Sequence, residues 1–162
     1  MIETKTSLQE IVAFFKDLQD EICQGLEDLD GKATFQQDLW DRPQGGGGRT
    51  RLNQDGNVFE KGGVNFSHVY GEMPEKISKA LKLSGKVDFH ASGVSIVIHP
   101  ESPKVPIIHM NVRYFETSDG THWFGGGIDL TPIYVVREDA IQFHQAMKDV
   151  CDQFDPGHYP KF

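Results

Sequence analysis

An α+β fold built on a mainly antiparallel β-sheet is predicted by two features of the 162-residue sequence. Helical spacing at both ends brackets a middle in which side-chain polarity alternates, and the links between the extended runs are turns rather than helices. Parallel neighbours would need helical crossovers, so successive runs are expected to pair antiparallel within a single domain spanning residues 1–162.

The elements follow in order. Ser7-Leu8-Gln9-Glu10 is a capping-box pattern. Ile11, Phe15, Leu18 and Ile22 continue it at helical spacing, predicting a helix of about five turns that stops near Asp30-Gly31. After Phe35, Leu39 and Trp40, the stretch Arg42-Pro43-Gln44-Gly45-Gly46-Gly47-Gly48 forbids a helix and predicts a loop. Extended runs at 49–53 and 57–70 flank Asp55-Gly56, a strong hairpin dipeptide, and Gly62-Gly63 inside the second run predicts a bulge. Residues 73–90 read as a short helix and a connection. Val94 to Ile98, Ile107 to Phe115 and Trp123 to Leu130 then read as strands. A closing helix runs from Glu138 to near Gln153, with Glu138 and Asp139 favourable in its first turn and Asp155-Pro156-Gly157 as its stop. The final Tyr159-Pro160-Lys161-Phe162 has no polar tail, which leads to the expectation that the chain is the N-terminal portion of a larger domain.

Composition narrows the function classes. A formal charge of −8 removes the positive field that would draw the chain to nucleic acid or anionic lipid. With 38% apolar residues and 11 Phe the chain is expected to fold. No stretch approaches the roughly 18 to 20 apolar residues of a membrane span, and the start lacks signal or transit character, so a cytoplasmic location is expected. Cys23 and Cys151 read as buried thiols rather than a disulfide.

The chemistry concentrates on the strand pair. Alternation in Ile108 to Tyr114 puts His109, Asn111 and Arg113 on one face and Ile108, Met110, Val112 and Tyr114 on the other. Ser95, Val97 and His99 share a side in the preceding strand. A turn centred on Lys104 would set His99 opposite His109, Val97 opposite Asn111 and Ser95 opposite Arg113, so that two imidazoles share a water, a metal or a substrate group. An ordinary solvated sheet face competes with that reading. His144 fits either a metal ligand or a packed core histidine, and His68, His90, His122 and His158 have no partner that the sequence names. The four glycines with Arg49 and Arg51 read as an anion cradle or as a tether. In Trp123-Phe124-Gly125-Gly126-Gly127-Ile128-Asp129-Leu130-Thr131-Pro132 the glycines would let a flat ligand come close, with Asp129 on the side of Gly125 and Gly127, or capping its own turn.

Several strings together resemble oxygen-dependent coproporphyrinogen III oxidase. They are Trp40-x-Arg42 with Gly45 to Arg49, Val58-Phe59-Glu60-Lys61-x-Gly63-Val64-Asn65, Gly93-Val94-Ser95 with His99-Pro100, and His109-x-Asn111-x-Arg113-Tyr114-Phe115. Trp123 to Pro132 and the closing helix with Glu138-Asp139-Ala140 and His144 complete them, in order and nearly end to end.

The resemblance implies oxidative decarboxylation of two propionates of coproporphyrinogen III to vinyl groups in haem biosynthesis, giving protoporphyrinogen IX. Molecular oxygen is then the co-substrate, and no organic cofactor is needed. A large antiparallel sheet flanked by helices and a homodimer are implied as well. By the family pattern His109 matches the proton donor, Asp129 the carboxylate at the reacting pyrrole and Arg113 a catalytic and substrate-binding position. Ser95, Asn111 and Val112 match further substrate-binding positions, and Arg49 is suited to a propionate. His99, His109 and His144 match positions for a divalent metal cation. Family members continue well beyond this length, so the chain is expected to expose apolar surface and sheet edges and to be inactive alone. A non-catalytic tetrapyrrole-binding or structural module is the reading from a different class, and a metal-dependent enzyme built on the histidine pair is a third.

Overall fold

A computed structural model describes residues 6–80 and 86–162; the opening 1–5 and residues 81–85, part of the stretch 73–90 that reads as a short helix and a connection, lie outside the described residues. Helix α1 (Leu8–Asp30) is followed by strands β1 (Gln36–Asp41), β2 (Gly46–Gln54) and β3 (Phe59–Glu72), then by the short helix α2 (Glu75–Ala80). Strands β4 (Asp88–Pro100), β5 (Ile107–Thr117) and β6 (His122–Thr131) come next, then helix α3 (Arg137–Phe154) and a terminal 3₁₀ turn, Tyr159–Lys161. The six strands form one antiparallel meander in chain order, as the α+β reading expects. Among the described residues no helix is long and apolar enough to cross a membrane.

Helix α1 starts where the capping box places it. The Ser7 hydroxyl accepts the Glu10 N–H, the Glu10 carboxylate accepts the Ser7 N–H at 2.7 Å, and Gly31 closes the helix in the left-handed region. Its apolar stripe buries Ile11, Phe15 and Cys23 against Val64 and Phe66 of β3, Val94, Ile96 and Ile98 of β4, and Tyr114 of β5. Each such side chain contributes about 1.5–3 kcal/mol on full burial. Gln19, fully buried, donates to the Arg49 and Val64 carbonyls at 2.8 and 2.7 Å and accepts the Arg49 Nε–H at 2.6 Å. Burial pushes the Cys23 thiol up, and both cysteines are free.

At the other end of α1, Asp30 fixes the β2–β3 hairpin. Its buried carboxylate accepts the N–H groups of Lys32, Ala33, Asn57, Val58 and Phe59 at 2.8–3.2 Å. Those bonds, led by the one from Ala33, hold the carboxyl well below the usual carboxylate range. Asp55 sits at φ +58°, so the Asp55-Gly56 pair does make the turn, but its loop is longer than two residues because the ladder closes at Gln54 and Lys61.

Three local expectations are corrected. The predicted loop at 42–48 is a tight turn of Arg42–Gly45, and Gly46 to Gly48 belong to β2. Gly46 is required by contact as well as by its φ of +83°, because a Cβ there would lie 2.1 Å from the His68 carbonyl oxygen. The bulge falls not at Gly62-Gly63 but at Glu60, between the pairs Phe59–Pro100 and Lys61–His99. The extra residue turns Phe59 onto the face of Val64 and Phe66, where it is buried. The β4–β5 register is slipped by two residues from the expected one. Val97 stands opposite His109, Ser95 opposite Asn111 and Gly93 opposite Arg113. The hairpin closes at Ile98 and Ile108, because Pro106 has no N–H and Glu101 donates instead to Val58 beside β3.

Replacing Asp30 by Asn should lower stability at pH 7, since an amide cannot accept all five N–H groups without turning its own donors on them. The native carboxyl titrates below its unfolded value of about 3.9. Its stabilisation is therefore full above that value and declines as pH falls below about 4. Urea unfolding at pH 7 and pH 3 should show a gap between wild type and Asp30→Asn that narrows on acidification.

Candidate active site on the open face of the sheet

Alternation sends every second side chain away from α1, and the pairing register aligns these into rows across the sheet. One row reads Thr50, Asn65, Ser95, Asn111 and Gly127, and the next reads Trp40, Gly48, Ser67, Gly93, Arg113 and Gly125. All of these but Gly48 line a groove of about 640 Å³ whose floor is glycine, serine, threonine and asparagine. Trp40 and Trp123 are aromatic walls on the two outermost strands, Trp123 packed on Phe115 with centroids 4.5 Å apart and the rings tilted by 31°. The Trp40 ring lies over Gly48, where a Cβ would come within 2.3 Å of Cζ2. Arg113, exposed at the groove, supplies positive charge in an acidic protein.

His109 and Asp129 stand opposite each other on β5 and β6. Their side chains meet at 2.9 Å through His109 Nδ1 and Asp129 Oδ1. A carboxylate only accepts, so Nδ1 carries the proton and Nε2 is left to face a ligand. The Thr131 hydroxyl donates to the same oxygen at 3.1 Å. These bonds, His109 foremost, hold the Asp129 carboxyl below the usual carboxylate value. Asp129 also lines a smaller cleft of about 290 Å³ with Phe143 and His144 of α3. Below the groove a further hollow is lined by Asn65, Lys61, Val97 and His99.

Ser95, Asn111, Arg113, His109 and Asp129 are therefore brought onto one face. Two expected residues are not. The Val112 side chain points to the α1 side, beside Val94 and Met110. Arg49 is on that side too, donating to the Lys16 carbonyl and paired with Asp20 at 2.9 Å, while Arg51 reaches the same carboxylate at 2.7 Å. Neither arginine cradles an anion, and neither belongs to a tether; they lock β2 under the helix.

The metal positions do not assemble. His99 and His109 have ring centroids 6.5 Å apart, edge to face and on diagonal rather than opposed positions. His144 lies on α3, where no residue is buried, and its Nδ1 meets the Tyr159 hydroxyl at 3.0 Å. Among the described residues no three His, Cys, Asp or Glu side chains are grouped to hold an ion.

Trp40, Thr50 and Asn65 complete the groove without having been picked out as site residues. Their signal was present, since alternation within 49–53 and 64–66 already turns Thr50 and Asn65 away from the buried side.

A family profile described as Coproporphyrinogen III oxidase matches residues 10–162. The chain is 48% identical over 158 residues to coproporphyrinogen-III oxidase 1, chloroplastic, of Arabidopsis thaliana, the match covering 89% of this chain and 41% of that protein. The chain thus spans less than half the length of that curated relative.

Two glycines of the floor should respond oppositely to a methyl group. At Gly93 a Cβ would lie 2.3 Å from the Val112 carbonyl oxygen, whereas nothing stands within 4 Å at Gly127. Gly93→Ala should lower stability by about 1–3 kcal/mol through overpacking. Gly127→Ala should leave the thermal midpoint unchanged or slightly raised, as differential scanning calorimetry of the pair would show.

Proposed function

Because the chain belongs to the coproporphyrinogen III oxidase family, we propose that its open sheet face binds coproporphyrinogen III and serves the oxidative decarboxylation of two of its propionates to vinyl groups. The observation that carries the reading is the His109–Asp129 pair, 2.9 Å apart, set beside Asn111 and Arg113 at the edge of a glycine-floored groove. Each propionic acid side chain and one O₂ give one vinyl group, one CO₂ and one H₂O₂. The carbon next to the pyrrole gives up two electrons and a proton to oxygen, and the C–COO bond supplies the electron pair of the new double bond.

The residues divide that work. A reduced tetrapyrrole offers pyrrole N–H donors, and Asp129, held ionised by His109 and Thr131, accepts one of them or takes its proton, enriching the ring in electrons for transfer to oxygen. His109 moves protons between Asp129 and the developing peroxide. Arg113 grips a propionate by paired N–H groups, and Asn111 and Ser95 hold its neighbours. The glycine floor admits the face of the macrocycle, and Trp40 and Trp123 flank it. No organic cofactor has a place in this scheme.

The homodimer and the cytoplasmic location belong to the same proposal. Exposed apolar side chains on β6 and the stretch after it, Phe124, Ile133, Tyr134 and Val135, support an association surface.

Quenching of Trp40 and Trp123 fluorescence by coproporphyrinogen III under nitrogen should report binding by this chain, and in the polypeptide extended to the length of its relatives, in which turnover is read, admission of O₂ should yield protoporphyrin fluorescence. Asp129→Asn should keep the quenching and lower turnover by roughly two orders of magnitude or more. Gly127→Leu should fold normally and lose the quenching. A wild-type chain without quenching, or an Asp129→Asn chain with full turnover, would overturn the assignment.

A further inference from the structure

The opposite face carries a second polar cluster just beyond the covered core. His68 on β3 and His90 on β4 are half-buried, with His68 Nε2 and His90 Nδ1 3.2 Å apart and the rings stacked at 5.5 Å. Tyr70 walls both, its ring 5.4 Å from His68 and 5.2 Å from His90. His90 stands opposite Glu116 in the β4–β5 ladder, and Glu116 stands opposite His122 in the β5–β6 ladder. None of these residues lines the groove described above.

We propose that His68 and His90 chelate a divalent transition-metal cation such as Cu²⁺ or Zn²⁺, with Glu116 as the third donor. The bite is the main argument. Two imidazole nitrogens at about 2.05 Å from one tetrahedral ion stand about 3.3 Å apart, close to the 3.2 Å of this pair. A bare N–H···N contact needs one proton between the rings. The metal needs both lone pairs, and a tautomeric shift of that proton to the outer nitrogen of its ring supplies them with no net proton loss. Burial and the neighbouring His90 lower the His68 pKa, which favours the neutral ligand form near pH 7.

Glu116 is within reach because directly opposed Cβ atoms lie about 4.5–5.5 Å apart. Its Oε2 now accepts the Tyr114 hydroxyl at 2.7 Å, so the carboxylate takes the third place by side-chain rotation. That is why no three-ligand group stands formed. At the rim, His122 Nδ1 contacts the Gly120 carbonyl at 3.1 Å, which assigns it the proton and leaves Nε2 as a fourth donor. Lys16 of α1 is the opposing positive charge near His68, and Glu116 is the balancing negative one.

Titrating the chain with Cu²⁺ should give one tight equivalent whose electron paramagnetic resonance spectrum shows coupling to two imidazole nitrogens. His68→Asn and His90→Asn, each checked by circular dichroism, should lose it. Glu116→Gln should weaken it, and His99→Gln should retain it. Zn²⁺ added to ¹⁵N-histidine-labelled wild type should shift His68 Nε2 and His90 Nδ1 together, a readout that needs no variant. Binding that survives both substitutions, binding lost in His99→Gln instead, or Zn²⁺ shifts confined to other histidines would overturn the assignment.

Discussion

The Asp30 carboxylate is the constraint on which the arrangement of this sheet depends. It ends α1 and at the same time accepts the backbone N–H groups of the β2–β3 connection, so helix and hairpin are joined at one buried point. Gln19 repeats the device about three turns of helix away, bonding carbonyls of β2 and β3. Buried polar groups of this kind destabilise when left unpaired, so the register that satisfies them excludes its alternatives. The apolar stripe of α1 alone would tolerate sliding along the sheet; its polar anchors do not.

Once α1 is fixed, the chemistry of the other face follows from strand periodicity. The residues against the helix include Val64, Phe66, Val94, Ile96, Met110, Val112 and Tyr114, and their immediate neighbours in sequence must point outward. Those neighbours are Asn65, Ser95, Asn111 and Arg113, a row of hydrogen-bonding groups that an ordinary solvated face would fill with Thr, Lys and Glu. Arg49 and Arg51 show the same rule in reverse. Their charge suits an anion, but their parity places them under the helix, where Asp20 and the Lys16 carbonyl engage them. Residue type proposes a role, and parity decides whether the side chain can perform it.

That is also why some of the molecule was legible in the sequence and some was not. The capping box, the helix stop at Asp30-Gly31, the strand alternation in 108–114 and the stop at Asp155 rest on interactions within a few residues, and the structure places them as expected. The sharing of a face by Ser95, His99, His109, Asn111 and Arg113 was legible too, since a two-residue slip of register leaves parity unchanged, whereas the meeting of Asp129 with His109 depends on the β5–β6 register. What could not be read was whatever depends on a neighbouring strand. The β4–β5 hairpin closes where Pro106 cannot donate and Glu101 bonds to Val58 beside β3, and the glycines at 46–48 read as a loop because their contacts, the His68 carbonyl and the Trp40 ring, lie on other strands. Arg49 was placed by its charge when its side was set by pairing with Phe66.

The bulge at Glu60 joins these threads. From Lys61 onward β3 sends even-numbered residues toward α1, which puts Val64, Phe66 and His68 on the helix side and Asn65 and Ser67 on the groove side. Phe59 is odd-numbered and buried with the even set, which is possible only because one residue is left over between them. Without that extra residue, either Phe59 would leave the core or the rest of the strand would invert, carrying His68 into the groove and Asn65 under the helix. A strand shows two faces, and a single unpaired residue near its start keeps the histidine pair of one face separate from the amide row of the other. The two polar clusters are therefore coupled through backbone geometry, while their side chains lie on opposite sides of one sheet.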